Sequence, residues 1–413
     1  MPAPKRIYFS QIAHGVWKDW VEVVNLGSTQ ANITATARNH VGGAVWSTSK
    51  SIGPFGCWVV PAEGVADRKG DVSLEIMSDQ PIVGERHCHL GTQVLDFPGA
   101  AFELNSAGTR LFFAEIASYI GDWLRFLNLG EAEAIINVVG HDRGTGKVVK
   151  QLQGRARPLG YWTIGDAQIG KVTGTLQVIS TQPIVGERHS HYSGGQSAIG
   201  QLGQVADGLH PPPKRIYFPQ IAPGGWGDWV TVTNFSTQQA KLTALLRDGA
   251  GKAAWSGEHT LGPFQCWMPP VDKATKKDVS LEIASDQPVL GERHVHSGTQ
   301  VLSFPGAARE LGSVGTRLFF PEIYSGAYDW LRFLNVGETT ALINIIVRNR
   351  NGQILKQFSG RARPLGFWTI GDAIIKSATG TMEVMSTQPI VGERHMHYQG
   401  SKTAVSQLGQ IID

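Results

Sequence analysis

Apolar and polar positions alternate along much of this chain with a period of two, the spacing that sends side chains to opposite faces of a strand. Trp229-Val230-Thr231-Val232-Thr233 shows it plainly and runs into the turn-like Asn234-Phe235-Ser236. Lys241-Leu242-Thr243-Ala244-Leu245-Leu246 is the next expected strand, closed by Asp248-Gly249, a strong hairpin signal. Val279-Ser280-Leu281-Glu282-Ile283 alternates again before the turn Ser285-Asp286-Gln287-Pro288. Residues 289–296 are then expected to form the last core strand. No segment carries a sustained helical period. Short strands with turns every 8 to 12 residues or so predict an all-β fold, a β-sandwich of immunoglobulin-like size.

The pattern repeats. Lys5-Arg6-Ile7-Tyr8-Phe9 returns as Lys214-Arg215-Ile216-Tyr217-Phe218, and Leu111-Phe112-Phe113 as Leu318-Phe319-Phe320. The tetrad Gly-Glu-Arg-His opens at Gly84, Gly186, Gly291 and Gly392, a spacing of about 100 residues. Asp-Trp pairs stand at Asp19-Trp20, Asp122-Trp123, Asp228-Trp229 and Asp329-Trp330, and a Pro-x-x-x-Trp element ends at Trp58, Trp162, Trp267 and Trp368. That period is too long for solenoid units and suits complete small domains. Copies one and three share Asp-Val-Ser-Leu-Glu-Ile, and copies two and four share Gly-Arg-Ala-Arg-Pro-Leu-Gly. The expected organisation is therefore four tandem immunoglobulin-like sandwiches in an A-B-A′-B′ duplication, over residues 1–108, 109–210, 211–315 and 316–413. The Pro211-Pro212-Pro213 run between the halves is a semi-rigid spacer.

Composition narrows the function classes. Charged residues make up only 17% of the 413, with 50 glycines and 21 prolines, which suits strands and tight turns rather than a helical bundle. A net charge of +3 gives no electrostatic footprint for nucleic acid. No apolar run approaches the roughly 18 residues of a membrane span. The three cysteines offer no disulfide framework; Cys57 could pair with Cys88, but Val295 stands where Cys266 would need its partner.

The order of an aromatic first strand, an Asp-Trp strand ending in Asn-x-Gly, a Pro before an aromatic strand, and Ser-x-Gln-Pro-Ile-Val-Gly-Glu-Arg resembles a known repeat. It is similar to the immunoglobulin-like modules of bacterial secreted and cell-surface proteins, in which a strand ending in Pro-Ile-Val-x-Glu-Arg closes each unit. The resemblance covers all four copies, implies an extracellular or cell-surface location, and carries over no catalytic residue. The chain departs from it in placing His-x-His after Glu-Arg and in showing no export signal, so a cytoplasmic location stays open.

Those histidines are the sharpest candidates for chemistry. On a strand, His87/His89, His189/His191, His294/His296 and His395/His397 each share a face about 6.6 Å apart, close enough to hold one metal ion. A zinc site needs further ligands, and Glu85 is a candidate third. The plainer reading, which the pattern favours, has Glu and His lining a domain interface while Arg stacks on a Trp. The Asp-Trp pairs suit sugar binding, but recurrence in every copy favours Trp in the sandwich core and Asp on turn amides. Trp17/Trp226 and Trp46/Trp255 occur only in the A-type copies and are candidates for contact with carbohydrate or a partner. Arg155/Arg157 and Arg361/Arg363, only in B-type copies, are an anion-binding pair or surface salt-bridge formers. No nucleophile elbow, phosphate loop or metal-hydrolase helix is present. The expectation is a structural or adhesive, self-associating surface protein without catalysis or cofactor. Its alternative is a multivalent polysaccharide binder, with a metal-dependent enzyme third.

Overall fold

The computed structural model describes residues 3–192, 194–209, 211–222, 224, 226–275, 277–375, 378–398, 400 and 402–413. The chain is all-β, 62% strand and 5% helix. In the first unit the strands are β1 (Arg6–Ile12), β2 (Lys18–Asn25), β3 (Ala31–Arg38), β4 (Ala44–Ile52), β5 (Cys57–Val60), β6 (Val72–Ser78), β7 (Ile82–Leu90) and β8 (Gln93–Pro98). They form two antiparallel four-stranded sheets, ordered β1-β6-β3-β4 and β5-β2-β7-β8. Residues 215–305 repeat both sheets strand for strand. In the second and fourth units the strands equivalent to β6 and β7 fuse into Gly174–Tyr192 and Gly380–Tyr398, which join the two sheets. Asp79 and Asp286 stand at the turn in the first and third units, whereas β-branched Thr181 and Thr387 lie in the fused, extended strands.

Alternation dictates the cores. Ile7, Phe9, Val21, Val23, Ile33, Ala35, Leu74 and Ile76 point inward in the first unit, and three equivalent clusters fill the others. Each equivalent of β2 ends on a buried asparagine whose Oδ1 accepts the amide two residues on (Asn25 with Gly27, Asn128 with Gly130, Asn234 with Ser236, Asn335 with Gly337). Two expectations need correction. The Gly-Glu-Arg-His strand is not the last, because β8 and its counterparts pair onto it. Short helices such as Glu63–Lys69 also precede β6 and its counterparts. No helix among the described residues is long and apolar enough to cross a membrane.

The four units close into a ring. The eighth strands (β8, Ser197–Leu202, Gln300–Pro305, Thr403–Leu408) pack together around a central axis. At each seam a tight hairpin after the third strand reaches the next unit. The carbonyls of His40, Arg143, Gly249 and Arg350 accept the amides of Tyr161, Cys266, Phe367 and Cys57 at 2.8–3.2 Å. The hairpin glycines Gly42, Gly146, Gly251 and Gly352 have φ between 67° and 86°. A Cβ there would lie 1.9–2.2 Å from the carbonyl oxygen of Pro158, Pro263, Pro364 or Pro54. The last contact joins the fourth unit to the first, and Ala3 and Ile412 meet in one apolar cluster with Val24, Leu26, Val83 and Phe319.

Candidate functional site

The recurrent charged residues turn out to bind the ring together. Arg86, Arg188, Arg293 and Arg394 are buried, and each pairs at 2.7–2.8 Å with the aspartate of its own unit (Asp19, Asp122, Asp228, Asp329). Each also faces the tetrad glutamate of the next unit: Arg86 to Glu187 at 2.5 Å, Arg188 to Glu292 at 3.5 Å, Arg293 to Glu393 at 2.7 Å, Arg394 to Glu85 at 4.0 Å. Burial would raise the Glu187 carboxyl, but the Arg86 guanidinium and the His189 hydrogen bond hold it at about 2. Arg86 and Arg293 pack over Phe97 and Phe304, where stacking on tryptophan was expected.

Cross-strand register sets Trp20, Trp123, Trp229 and Trp330 opposite His87, His189, His294 and His395, on the face turned to the neighbouring unit. The Asp-Trp tryptophans are therefore not the sandwich core. Trp58, Trp162, Trp267 and Trp368 pack there instead. Asp19 and Asp228 do accept the expected turn amides, from Ala13 and Ala222.

The seams are of two kinds. Between units two and three, Glu115 accepts the indole N–H of Trp229 at 3.2 Å and the Thr231 hydroxyl at 2.5 Å. The Tyr192 hydroxyl lies 3.1 Å from His294 Nδ1, with its ring edge-on to His296. Between units four and one, Glu322 takes the Trp20 indole, and Tyr398 packs against His87 and His89. Both seams are plugged. At the other two, Gln11 and Gln220 replace the glutamate, and Leu90 and Ser297 replace the tyrosine. A cleft opens at each.

The first cleft, about 440 Å³, is lined by Trp17, Trp123, Asp71, Arg125, His189 and His191 among others. The second, about 570 Å³, is lined by Trp226, Trp330, Asp278, Gln300, His395 and His397 among others. Trp123 and Trp330 are 51% and 49% exposed. Arg125 and Arg332 anchor Asp71 and Asp278 at 2.7 Å, and the buried Nη1 of each arginine has no hydrogen-bond partner. Burial would raise Asp71, but Arg125 and the His14 hydrogen bonds hold it below the ordinary carboxylate range. Burial and then the neighbouring histidine push His191 and His397 down to about 4, so both are neutral near pH 7. Their Nδ1 lies 2.7 and 2.6 Å from the Gln93 and Gln300 side-chain oxygens. A neutral ring donates there from Nδ1, which leaves Nε2 as an acceptor.

Of the residues singled out in the sequence, Trp17, Trp226, His189, His191, His395 and His397 meet in the clefts. Trp46 and Trp255 are half-buried against the cores of their own units, away from them. Arg155, Arg157, Arg361 and Arg363 lie exposed at the ends of outer strands, Arg155 paired with Glu133. His89 and His296 stack on Trp20 and Trp229 at 4.6 Å. All three cysteines are free. Sequence reasoning passed over Asp71, Arg125, Asp278 and Arg332, because their pairing crosses from one unit to the next.

No protein-family model matches the chain, and no curated protein matches it. Among solved structures, Thermotoga maritima 1070 aligns at 18% identity over 23% of this chain and 92% of its own, with a TM-score of 0.21. The serine-rich repeat protein Srr2 of Streptococcus agalactiae aligns at 9% identity over 79% and 84%, TM-score 0.13. A glycoside hydrolase family 32 structure from Bifidobacterium adolescentis aligns at 9% over 98% and 95%, TM-score 0.16. Likenesses this slight carry no argument about fold or activity, so the clefts are read on their own chemistry.

Proposed function

We propose that the chain is a bivalent binding protein that takes carbohydrate in its two open clefts. The observation that carries this reading is the pair of half-exposed indoles, Trp123 and Trp330, whose counterparts Trp20 and Trp229 are capped by glutamate beside histidines on which a tyrosine packs. An indole face stacks on the apolar face of a sugar ring. Asp71 and Asp278, anchored by Arg125 and Arg332, accept hydroxyl hydrogen bonds, and Nε2 of His191 and His397 accepts. Both volumes fall in the range of small-ligand sites. Two sites on one rigid ring would raise avidity for a repeating polymer. The shared strand order also supports reading the units as immunoglobulin-like sandwiches duplicated as A-B-A′-B′, and an extracellular setting fits a polysaccharide ligand.

A glycan array followed by calorimetry on the best hit tests the reading. Two sites per chain are expected, and Trp123→Ala with Trp330→Ala should weaken binding at least about tenfold, or roughly 1.4 kcal/mol, with unchanged melting. Full affinity in the double variant sinks the proposal. Self-association is a second reading, supported by Val148, Val149, Ile354 and Leu355, which are exposed on the outer edge strands Val148–Ala156 and Ile354–Ala362. Sedimentation as a monomer at high concentration would remove it.

A further inference from the structure

The two plugged seams differ in charge. Between units two and three, the acids Glu115, Asp122 and Glu292 meet Arg143, Arg188 and His294, three against three. Between units four and one, Glu322, Asp329 and Glu85 meet Arg350, Arg394 and His87 in the same places. Here, however, Glu22 and Asp96 are added, where the other seam has Thr231 and Ser303. Arg350 turns toward Glu22 at 3.1 Å and stands 3.9 Å from Glu322. All five acids are buried, so this seam holds two more carboxyl groups than cationic side chains. A buried carboxylate without a cationic partner is costly and takes up a proton or a cation.

One of the two added acids, Asp96, meets the tetrad residues of its own unit. Asp96 lies directly across the β7–β8 pair from His87, and Glu85 is two residues along on the same face. One donor atom each from Glu85, His87 and Asp96 lie within 4.8 Å of one another, and this is the one such trio among the described residues. His87 Nε2 is 2.6 Å from Glu85 and 2.8 Å from Glu322. Neither ring nitrogen of His87, neither oxygen of Glu85, nor Oδ2 of Asp96 makes an aligned hydrogen bond. In contrast, His189 and His395 bond squarely to Glu187 and Glu393 at 2.6 Å.

We propose that this seam binds one divalent transition-metal ion through Glu85, His87 and Asp96 of the first unit, with Glu322 of the fourth unit as an added ligand. One imidazole nitrogen with carboxylate oxygens is a donor set that suits Zn²⁺ or Mn²⁺, and a dication would offset the crowded carboxylates. The ligands come from opposite ends of the chain, so the ion clasps the seam that no peptide segment spans. The site is complete only when the ring has closed. It does not depend on what the clefts bind.

The test uses the untagged full chain, stripped with chelator and titrated calorimetrically with Zn²⁺ and, separately, Mn²⁺. One ion per chain is expected, with a rise in melting temperature that chelator reverses. Asp96→Ser, which installs the residue of Ser303 and Ser406, should fold and bind about 100-fold more weakly or worse, a loss at least at the upper end of that seen for supporting residues around metals. Glu322→Gln should weaken binding too while leaving the first-unit trio intact. Absence of stoichiometric binding by the unsubstituted chain overturns the proposal. So does Asp96→Ser binding either ion as the parent does.

Discussion

Arg86, Arg188, Arg293 and Arg394 each touch carboxylates of two units, so removing one strands buried acids on both sides of a seam. Arg293→Ala is expected to cost about 3–5 kcal/mol, read as a fall in denaturation midpoint. Acid should act on the same contacts. Glu187 is held at about 2 against an ordinary 4.5, so its contribution is whole above pH 4.5 and drains away as pH falls toward 2. Glu187→Gln should flatten that part of a stability–pH curve. His89, held at about 3, and His191, His296 and His397, held at about 4, stay neutral in the fold while an unfolded chain protonates near 6.5. They add a loss of stability between pH 6.5 and 4. His87 and His294 are raised by their glutamates and oppose it, giving stability that is full below 6.5 and fades as pH rises through their elevated values. The identity of the Glu-Arg-His residues as interface material was legible from their recurrence. That Asp19 and its counterparts hold the arginine was not, because Asp-Trp and Glu-Arg-His lie more than sixty residues apart and meet only across β2 and β7.

Strands were the legible elements, since period-two alternation is a local signal: the expected strands at 229–233, 241–246 and 279–283 lie inside Gly227–Asn234, Ala240–Arg247 and Val279–Ser285. The eighth strand was missed because Gln300–Pro305 is only six residues long and ends in proline. The helices were missed because four to seven residues span too few turns to show a period. The hairpin tips carry the seams. Gly352→Ala would place a Cβ 2.2 Å from the Pro54 carbonyl oxygen and meet a left-handed backbone costing about 1–2 kcal/mol by itself. Thermal melting should fall accordingly. The tyrosine plugs make a milder case. Tyr192→Leu with Tyr398→Ser installs the A-type residues at both closed seams. It should cost about 1–3 kcal/mol and make Trp229 and Trp20 more open to acrylamide quenching of their fluorescence.

At the scale of the whole molecule, the ion pairs and the hairpin contact that join units four and one have counterparts between units two and three, Glu22 and Asp96 excepted. The isolated half-chain 1–210 therefore carries both halves of a complete ring: Arg188 can meet a second copy's Glu85, and the Arg143 hairpin a second copy's Cys57. It is expected to sediment as a two-fold dimer near the 44.7 kDa of the full chain; a stable monomer would show that the seams need tethering. Nothing in the sequence disclosed the closure, since tandem repeats of this length read equally well as a string, and only the facing of charged strand surfaces decides between them. Ala3 and Ile412 belong to one apolar cluster, so both ends of the described chain lie at the same junction. Pulled by those ends, it would not lengthen like a row of beads. The load would fall on one seam as a peeling force, tearing Phe319 and Ile412 from Val24 and Val83 before any other junction felt tension, so the chain behaves mechanically as a latch whose release point is built in.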